Sequence, residues 1–383
     1  MPYYQQRGHI PNKRHTQFRD KNGKLLFEEL VSRQGFSSIY SNLYHLKMPT
    51  SLCKVGRFIN MEYNKVSDVH IPRHILTHKL NAKNGDIITN RKLLFFNKDI
   101  NIYKSHFNKN MGSFYRNGHF DDLLYIQCGV GTLETNFGNI EFIHGDYIII
   151  PRGVIWKITQ IKSEIKCLFI ESRKAINTPK KYRNEFGQHL EHSPYCERDM
   201  KFTKFKEPRD EQGEHKLIVR THQGFQEYYY KNHFFDVVGW DGYFFPWKIN
   251  ILDFEPITGS LHQPPPVHQM FESEGFVICS FVPRMFDYHP DSIPAPYPHS
   301  NVDSDEIIFY SKGDFMSRKG ISIESITYHP MGIPHGPQPG KYEESIGKNR
   351  TDELAVMIDT FAPLNFTKNA QRIEDDSYKL SWI

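Results

Sequence analysis

The sequence predicts a mainly β protein built from two jelly-roll-like β-barrels that are related by a weak internal repeat. Apolar and aromatic runs of four to eight residues recur between Gly, Pro, Asn and Asp, as in DYIIIPRG (146–153) and DEIIFYSKG (305–313). Long stretches of helical periodicity are scarce, which argues against an α-helical or α/β fold. A Pro-x-Gly turn with similar surroundings occurs twice, which indicates two copies of one β module.

The repeat is clearest at these turns. The chain reads PRGVIW at 151–156 and PMGIPH at 330–335, an offset of 179 residues. Each turn is preceded by a polar cluster, an apolar run and a glycine, namely RNGHFDDLLYIQCG (116–129) and HSNVDSDEIIFYSKG (299–313). Because a closed antiparallel barrel leaves no free sheet edge and encloses a pocket, two barrels explain the repeat economically.

The chain divides into four parts on this basis. We expect a loop-rich N-terminal arm with edge strands at 1–85, a first barrel at 86–177, a polar linking excursion at 178–240 and a second barrel at 241–383. The second barrel carries most of the side chains that are suited to chemistry.

Composition limits the function classes. The chain has 383 residues, with 48 Lys and Arg against 44 Asp and Glu and a formal net charge of +4. The basic residues are scattered, so we expect neither a nucleic-acid nor a membrane partner. Five cysteines without CxxC spacing fit a reducing compartment better than a disulfide framework. No apolar leader and no run of about 18 apolar residues occurs, so we expect a cytoplasmic protein.

Three side chains of the second barrel form a candidate metal site. His299 and Glu306 flank the start of a predicted strand, and His335 lies in the Pro/Gly turn that could return to face them. Two imidazoles and one carboxylate are the ligand set of non-haem Fe(II) oxygenases, because they leave adjacent positions open for substrate and O2. Zinc is more often held by four closed ligands or by three and a water. The pattern therefore favours Fe(II).

The first copy has the same Pro and Gly positions as the second, but it lacks most of the candidate metal ligands. Counting back from Gly129, Asp122 occupies the position of Glu306. The position of His299 falls at Tyr115 or Arg116, and Trp156 replaces His335. Since a metal site requires its full ligand set, we expect the first barrel to bind no metal and to serve as scaffold or in assembly.

The spacing of the three candidate ligands and Gly313 resembles the two sequence motifs of the cupin superfamily. Asn301 stands where many cupins carry a further histidine, and its presence leaves a coordination position open, as dioxygen chemistry needs. Glu324 stands where the glycine that usually opens the second motif would be.

Longer stretches resemble one family of cupins, the homogentisate 1,2-dioxygenases in their shorter bacterial form. The similarity covers nearly the whole chain and is strongest in HQPPPVHQMFES (262–273), in residues 276–320 and in ITYHPMGIPHGPQPG (326–340). It implies two cupin barrels, the second catalytic, with Fe(II) and cleavage of homogentisate by O2 to 4-maleylacetoacetate in tyrosine and phenylalanine catabolism. It also implies a homotrimer or a dimer of trimers.

The resemblance implies roles for individual residues. The metal ligands are His299, Glu306 and His335, with Asp305 as a competing candidate for the carboxylate. His329 is expected near the substrate as a catalytic residue. The acid/base histidine ahead of the Pro-rich segment matches His262, and His268 is the alternative.

Substrate binding shows one departure from the family. Animal members carry a Tyr after the strand's glycine that is thought to help hold the substrate carboxylate, and this chain has Phe315 there. The carboxylate would then be bound from elsewhere, by Arg318 or Lys312. Tyr297 matches a pocket tyrosine two residues before the first ligand.

Other functions remain open at this level. A second hypothesis is a cupin dioxygenase that cleaves another hydroxylated aromatic acid, of gentisate or hydroxyquinol type, which Phe315 keeps in view. A third is a cupin retained as a non-catalytic binding or structural protein, and a fourth is a non-redox metal isomerase. The intact ligand set argues against the third, and Asn301 in place of a further histidine argues against the fourth.

Overall fold

Nearly all regular structure in the computed structural model is β, as the sequence predicts. The structure describes residues 3–66, 70–80 and 84–383. Strands β1–β9 are Gln5–Gly8, Phe27–Ser32, Tyr40–His45, Leu52–Asn60, Arg73–Leu76, Lys92–Phe96, Ile100–Phe107, Phe114–Asn117 and Asp121–Cys128. Strands β10–β18 are Gly131–Thr135, Gly138–Phe142, Asp146–Ile150, Ile155–Thr159, Ile165–Ser172, Lys201–Phe202, Gln212–Arg220, Gly224–Asn232 and Val237–Gly242. Strands β19–β27 are Trp247–Asn250, Gln269–Ser273, Phe276–Phe281, Arg284–Met285, Asp305–Lys312, Ser325–His329, Arg350–Thr351, Leu354–Thr360 and Asn365–Phe366.

The described helices are all short. Two α-helical turns, α1 and α2, comprise Ile87–Asn90 and Lys368–Gln371. The 3₁₀ turns are Thr77–Lys79, Lys180–Tyr182, Ile251–Asp253, Pro265–His268, Glu343–Ser345 and Tyr378–Leu380. In the described part of the chain, no helix has the length and apolar character needed to span a bilayer.

The internal repeat appears as one strand order used twice. The second module has a six-stranded sheet in the order β20-β21-β26-β23-β24-β5. Six strands of the first module follow the same order, β6-β7-β14-β9-β12-β19, within an eight-stranded sheet. In both sheets the neighbouring strands of the series pair antiparallel. The strand equivalences fix which residues correspond between the two copies.

The remaining walls of the two modules differ. The first module is completed by a seven-stranded sheet in the order β11-β10-β13-β8-β16-β17-β4, and side chains of both sheets join one hydrophobic core. Strands β16 and β17, which lie in the expected linking excursion, belong to this sheet. The second module has the short pair β22-β25 and long loops instead of a second large sheet. Those loops leave room for a cavity.

The two modules share strands and buried contacts. Strand β5, from the N-terminal region, pairs with β24 of the second module, and β27, near the C-terminus, pairs with β6 of the first. Across the interface the Tyr125 hydroxyl donates to Ser311 Oγ at 2.7 Å, and the Tyr147 hydroxyl lies 3.0 Å from Ser280 Oγ. All four of these side chains are buried, so the two modules are closely packed against each other.

The turn between β23 and β24 adds a charged contact to this interface. Glu324 has a φ of +68°, a conformation that normally favours glycine. Its carboxylate pairs with Lys166 of β14 and lies 3.6 Å from the Nζ of Lys104 of β7. Burial lowers the pKa of Lys104 to about 8, and the Glu324 charge opposes that shift.

The interior of the first module contains a buried ionic network. Glu171 of β14 and Asp122 of β9 lie directly opposite each other. Two guanidiniums pair with Glu171: Arg220 Nε lies 3.0 Å and an Arg91 terminal nitrogen 3.1 Å from its Oε1. Burial alone would raise the pKa of Glu171, but the two arginines hold it below its usual value. Burial beside this charge raises the pKa of Asp122 well above its usual value, which favours its neutral form.

The N-terminal region forms a sheet of its own, in the order β1-β18-β3-β2. His45, at the end of β3, is buried and donates from Nδ1 to Asp236 at 2.7 Å and from Nε2 to Glu29 at 3.1 Å. Burial alone would lower the pKa of His45, but the hydrogen bonds to these two carboxylates raise it to about 9. Protonated His45 therefore ties β2 and β3 to the segment that leads into β18.

This pKa predicts how stability depends on pH. Because the folded-state pKa lies above the unfolded value of about 6.5, the stabilisation is complete below pH 6.5 and is lost as pH rises through about 9. At pH 6 the free energy of unfolding of the wild type should exceed that of His45→Gln. This difference should decrease by on the order of 3 kcal/mol between pH 6 and pH 10. Denaturant titrations of both proteins at each pH measure it, and a pH-independent difference would contradict the assignment.

Candidate metal centre and cavity

The candidate site is built on the central strands of the six-stranded sheet. Glu306 is the second residue of β23 and is buried. In the antiparallel register it lies opposite His329 of β24 on one side and opposite Asp359 of β26 on the other. Side chains of directly opposed residues point to the same face of a sheet, so all three share the interior of the module.

Two loop histidines complete the site because their backbones pair. The His299 amide donates to the His335 carbonyl at 2.8 Å, and the His335 amide donates back at 2.9 Å. Gly332 has a φ of +76°, as the turn before His335 requires. Gly336 is needed for close approach, since a Cβ there would lie 2.8 Å from the Cα of Pro298. The Pro/Gly frame of the sequence therefore brings the two imidazoles together, with ring centroids 4.4 Å apart.

The ligand atoms of His299, Glu306 and His335 lie within 4.8 Å of one another. Within the described residues, no other group of three His, Cys, Asp or Glu side chains is close enough to hold a metal. His335 Nε2 lies 3.5 Å from Glu306 Oε1, and His299 Nε2 lies 3.8 Å from Oε2. The sequence-predicted ligands thus come from one strand and two loops to one place.

The hydrogen bonds of the two imidazoles suit a divalent cation. Each ring is within 3.2 Å of a backbone carbonyl through Nδ1, His299 to Tyr297 and His335 to Ile333. If Nδ1 carries the proton, Nε2 is left with a lone pair, as a metal ligand requires. His335 Nε2 is buried, and among the described residues it has no hydrogen-bond partner. An orphaned imidazole nitrogen, a second imidazole and a buried carboxylate are a donor set that fits Fe(II).

His329 supports Glu306 and does not line the cavity. Its Nδ1 lies 2.7 Å from Glu306 Oε1, and its Nε2 lies 2.9 Å from the Tyr378 hydroxyl. Burial lowers the pKa of His329 to about 4, so the ring is neutral and can donate to the carboxylate while accepting from Tyr378. Burial alone would raise the pKa of Glu306, but the neighbouring imidazoles of His299, His329 and His335 hold it well below its usual value. The expected catalytic His329 is therefore found in contact with a candidate ligand.

This chain of hydrogen bonds gives a prediction for Tyr378→Phe. The substitution removes the hydroxyl that fixes the orientation of His329 and, through it, of Glu306. We expect metal affinity to fall about 10-fold, at the lower end of the effect of partners that orient ligands. Competition with a chelator measures the affinity, and circular dichroism checks the fold. Unchanged affinity in a folded variant would mean that Glu306 is held without Tyr378.

Asp305 does not compete for the metal. Its carboxylate accepts hydrogen bonds from the Tyr328 hydroxyl at 3.1 Å, the Met331 amide at 2.8 Å and the Leu364 amide at 2.7 Å. These bonds join β23 to the turn before His335 and to the segment after β26. Asp305 has a structural role, whereas Glu306 faces the two histidines.

A cavity of about 410 Å³ opens beside the candidate ligands. Its wall includes the side chains of His262, Tyr297, His299, Glu306, Arg318 and Asp359. A volume of this size is within the range of small-molecule sites in proteins. The cavity therefore joins the candidate metal centre to several of the residues that the sequence assigns to substrate.

The two acid/base candidates occupy different surroundings in this wall. His262 is half exposed, with Nδ1 3.6 Å from the Asp287 carboxylate and its ring 5.1 Å from the ring of Tyr297. His268 is buried against Phe281, and burial and the Arg284 charge lower its pKa to about 3. His262, which is half exposed, is the better placed to exchange a proton with a ligand in the cavity.

The substrate-binding candidates differ in whether they line the cavity. Arg318 is buried in the wall, where it donates to the Gly336 carbonyl at 2.5 Å and to the Tyr310 hydroxyl at 3.3 Å. Phe315 packs on Tyr310, with ring centroids 4.6 Å apart, and is not part of the wall. Lys312 is exposed and also lies outside the wall. Arg318 is therefore the candidate that can meet a carboxylate inside the cavity.

Sequence reasoning missed Asp359. It lies in the apolar strand LAVMIDT, where a single carboxylate at an interior position is a signal that a pattern search could use. Its first-module equivalent is Glu171, since β14 corresponds to β26 and the two residues lie opposite Asp122 and Glu306 respectively. Alignment of the two copies beyond the Pro-x-Gly turns would have found the pair.

The strand order repeated in two modules and the His/His/Glu group beside a cavity define a two-module cupin with a candidate metal centre. Comparisons with known proteins agree. The family model described as "Homogentisate 1,2-dioxygenase N-terminal" matches residues 86–251. The "Putative dioxygenase" of Saccharolobus solfataricus is 43% identical over 385 residues, covering 100% of this chain and 99% of that protein. The chain belongs to the homogentisate 1,2-dioxygenase family of the cupin superfamily, and it is a dioxygenase.

More distant relatives are named for one substrate. "Homogentisate 1,2-dioxygenase" of Legionella pneumophila strain Corby is 26% identical over 295 residues, covering 71% of this chain and 68% of that protein. The protein of the same name from Rhizobium rhizogenes is 25% identical, covering 72% and 64%. Among solved structures, Ylba from E. coli aligns with a TM-score of 0.38 at 9% identity, covering 80% of this chain and 94% of that chain.

Proposed function

We propose that the protein is an Fe(II)-dependent dioxygenase that opens the ring of homogentisate with O2 and yields 4-maleylacetoacetate in tyrosine and phenylalanine catabolism. The observation that carries the proposal is the group of His299, Glu306 and His335 at the wall of a cavity that also contains Arg318. Membership of the homogentisate 1,2-dioxygenase family supports it.

The reaction balances without an external reductant, because both oxygen atoms of O2 enter the product. Bound by two imidazoles and one carboxylate, Fe(II) supplies open coordination positions and the redox chemistry that activates O2. The protein contributes binding, orientation and proton transfer. Neutral His329 fixes the direction of the Glu306 carboxylate, and the backbone pair between His299 and His335 fixes the two rings.

His262 is the proposed acid/base residue. A phenolic hydroxyl that loses its proton on binding needs an acceptor whose pKa is not far from the working pH. His262 lines the cavity with the Asp287 carboxylate close to Nδ1, which favours a proton on that nitrogen and leaves Nε2 to accept. His268, with a pKa lowered to about 3 by burial, is a much weaker base.

Arg318 is the proposed partner of the substrate carboxylate, with Tyr297 lining the same pocket. Its guanidinium is the buried cation of the wall, and charge-assisted hydrogen bonds to carboxylates are the stronger kind. Arg318→Gln should raise the KM for homogentisate about 10- to 100-fold and change kcat less, because a contact made equally in the ground and transition states is lost. Hydroquinone, which lacks the carboxylate, is the control ligand, and its binding should not change. Equal losses for both ligands would contradict this role.

The proposal is tested by oxygen uptake. The protein is loaded with Fe(II) under anaerobic conditions, its metal content is measured, and O2 consumption is followed with homogentisate, with gentisate and with buffer. We expect uptake with homogentisate and incorporation of two labelled atoms from ¹⁸O2 into the product. Uptake with gentisate alone would identify a dioxygenase for another hydroxylated aromatic acid. No uptake with either acid, with iron bound, would reject ring cleavage of these acids.

We also propose that the chain assembles as a homotrimer or a dimer of trimers in the cytoplasm. The support is the resemblance to the family. The first module, in which Trp156 replaces His335, has an incomplete ligand set, as expected for a module that serves in assembly. Light scattering should give a mass of three or six multiples of the 45.1 kDa chain. A monomeric mass at micromolar concentration would rule this assembly out.

A further inference from the structure

Asp359 is an interior carboxylate of the cavity that the proposed metal centre does not use. It lies near the end of β26, directly opposite Glu306 of β23, and so faces the same interior. It lines the cavity together with His299 and Arg318. Its carboxylate is not part of the group whose ligand atoms lie within 4.8 Å of one another. Asp359 is therefore beside the candidate metal ligands and separate from them.

One oxygen of this carboxylate lacks a partner. Asp359 Oδ1 is inaccessible to solvent and, among the described residues, makes no hydrogen bond. Leaving a buried polar atom unsatisfied costs about 1–3 kcal/mol, and more for a charged group. Native structures retain such atoms rarely, and usually where a ligand, an ion or water completes them.

The first module shows how the same position is satisfied when no ligand is needed. Glu171, the equivalent of Asp359, accepts from Arg220, from Asn101 Nδ2 at 2.9 Å and from the Tyr103 hydroxyl at 2.9 Å. In the second module β21 has Val277 and Cys279 at the positions of Asn101 and Tyr103, so Asp359 lacks the amide and the hydroxyl that donate to Glu171. The Asp359 side chain lines the cavity, so a ligand bound there can supply the hydrogen-bond partner that the described residues do not.

The charges of the cavity wall indicate which part of a substrate would be the hydrogen-bond partner of Asp359. Glu306 would repel a carboxylate, whereas Arg318 would attract one. Burial beside the Glu306 charge raises the pKa of Asp359 to about 8, so its neutral form predominates at pH 7. An aromatic acid in this cavity would turn its carboxylate to Arg318 and a hydrogen-bond donor to Asp359. On a hydroxylated ring that donor is a phenolic hydroxyl.

We propose that Asp359 binds a ring hydroxyl of the aromatic acid and thereby discriminates against acids that lack it. This inference rests on the proposed function, since it takes a hydroxylated aromatic acid as the ligand. Sites built to accept a hydrogen bond from a substrate hydroxyl reject the analogue without it, because their polar groups are then left unpaired. Asp359 would therefore determine specificity for the hydroxylation pattern of the ring.

The test is a binding cycle under anaerobic conditions, where no turnover occurs. Dissociation constants of homogentisate, 2-hydroxyphenylacetate, 3-hydroxyphenylacetate and phenylacetate are measured by calorimetry for Fe(II)-loaded wild type, Asp359→Leu and Asp359→Asn. Asp359→Leu removes the acceptor at similar volume, and Asp359→Asn keeps an acceptor oxygen but cannot ionise. Asp352→Leu, at an exposed carboxylate two residues before β26, is the matched control. Metal content is measured for every protein.

We expect Asp359→Leu to weaken homogentisate binding about 10- to 100-fold, with an intermediate loss for Asp359→Asn and none for Asp352→Leu. One of the two monohydroxy acids should lose affinity in parallel with homogentisate, and phenylacetate should lose none. Equal losses for all four ligands, or no loss, would overturn the inference while wild-type oxygen uptake leaves the proposed function intact. Should the wild type bind none of these acids, both the proposed function and this inference fail.

Discussion

Replacing His335 with alanine should abolish iron binding and, with it, oxygen uptake. The substitution removes an imidazole nitrogen of the site that is buried and has no hydrogen-bond partner among the residues that the structure describes. Partners that only orient ligands contribute about 10- to 100-fold to metal affinity. Loss of one of three ligands should therefore reduce affinity by more than about 100-fold. Metal analysis after dialysis against Fe(II) measures the occupancy directly.

The control must separate loss of the ligand from general damage. His192→Ala removes an exposed histidine outside the site and should retain wild-type occupancy. Circular dichroism of His335→Ala should match the wild type, because the backbone pair between residues 299 and 335 does not depend on the ring. Wild-type iron occupancy in a folded His335→Ala protein would show that the ligand assignment is wrong.

Replacing Arg220 with methionine should give a large loss of stability without touching the candidate site. Arg220 is fully buried and makes two contacts of 3.0 Å with Glu171, from Nε to Oε1 and from a terminal nitrogen to Oε2. Its removal leaves Glu171 with less compensation for its buried charge, although Arg91 remains. Breaking a buried pair by removing one partner costs about 3–5 kcal/mol. Chemical denaturation of the wild type and the variant measures this difference.

A surface pair provides the comparison. Lys204 and Glu141 form an ion pair of 3.1 Å in which both side chains are 69% exposed, and exposed pairs contribute little to stability because water screens them. Lys204→Met should therefore leave the free energy of unfolding nearly unchanged. If Arg220→Met were as mild as Lys204→Met, the buried network would not stabilise the first module. The double variant Arg220→Met with Glu171→Leu should recover part of the loss, since it removes both charges.

The candidate metal site was within reach of the sequence because its parts are local. His299 and Glu306 lie seven residues apart, and the turn that carries His335 has a Pro/Gly motif that can be recognised in the sequence. The mainly β class was also predictable, since short apolar runs between turn residues recur throughout. The repeat, read from the two Pro-x-Gly turns, extends in the structure to six corresponding strands.

Features that depend on the pairing of distant strands could not be predicted from the sequence. The pairing of β5 with β24 joins residues about 250 positions apart, and no local pattern in a single sequence encodes it. The contact of His329 with Glu306 depends on strand register, which is fixed by the packing of a whole sheet. The same holds for Asp359, whose position beside Glu306 follows from the pairing of β23 with β26.

Glu324 has a consequence for how the chain folds. Its left-handed backbone is tolerable because its carboxylate meets Lys104 and Lys166, which belong to the other module. The hairpin that carries Glu306 and His329 is therefore stabilised by contacts with the first module. In addition, β5 pairs with β24 of the second module and β27 pairs with β6 of the first. Each module therefore depends on a strand from a distant part of the chain. The protein should unfold as one cooperative unit, so that unfolding of the first module also abolishes metal binding in the second.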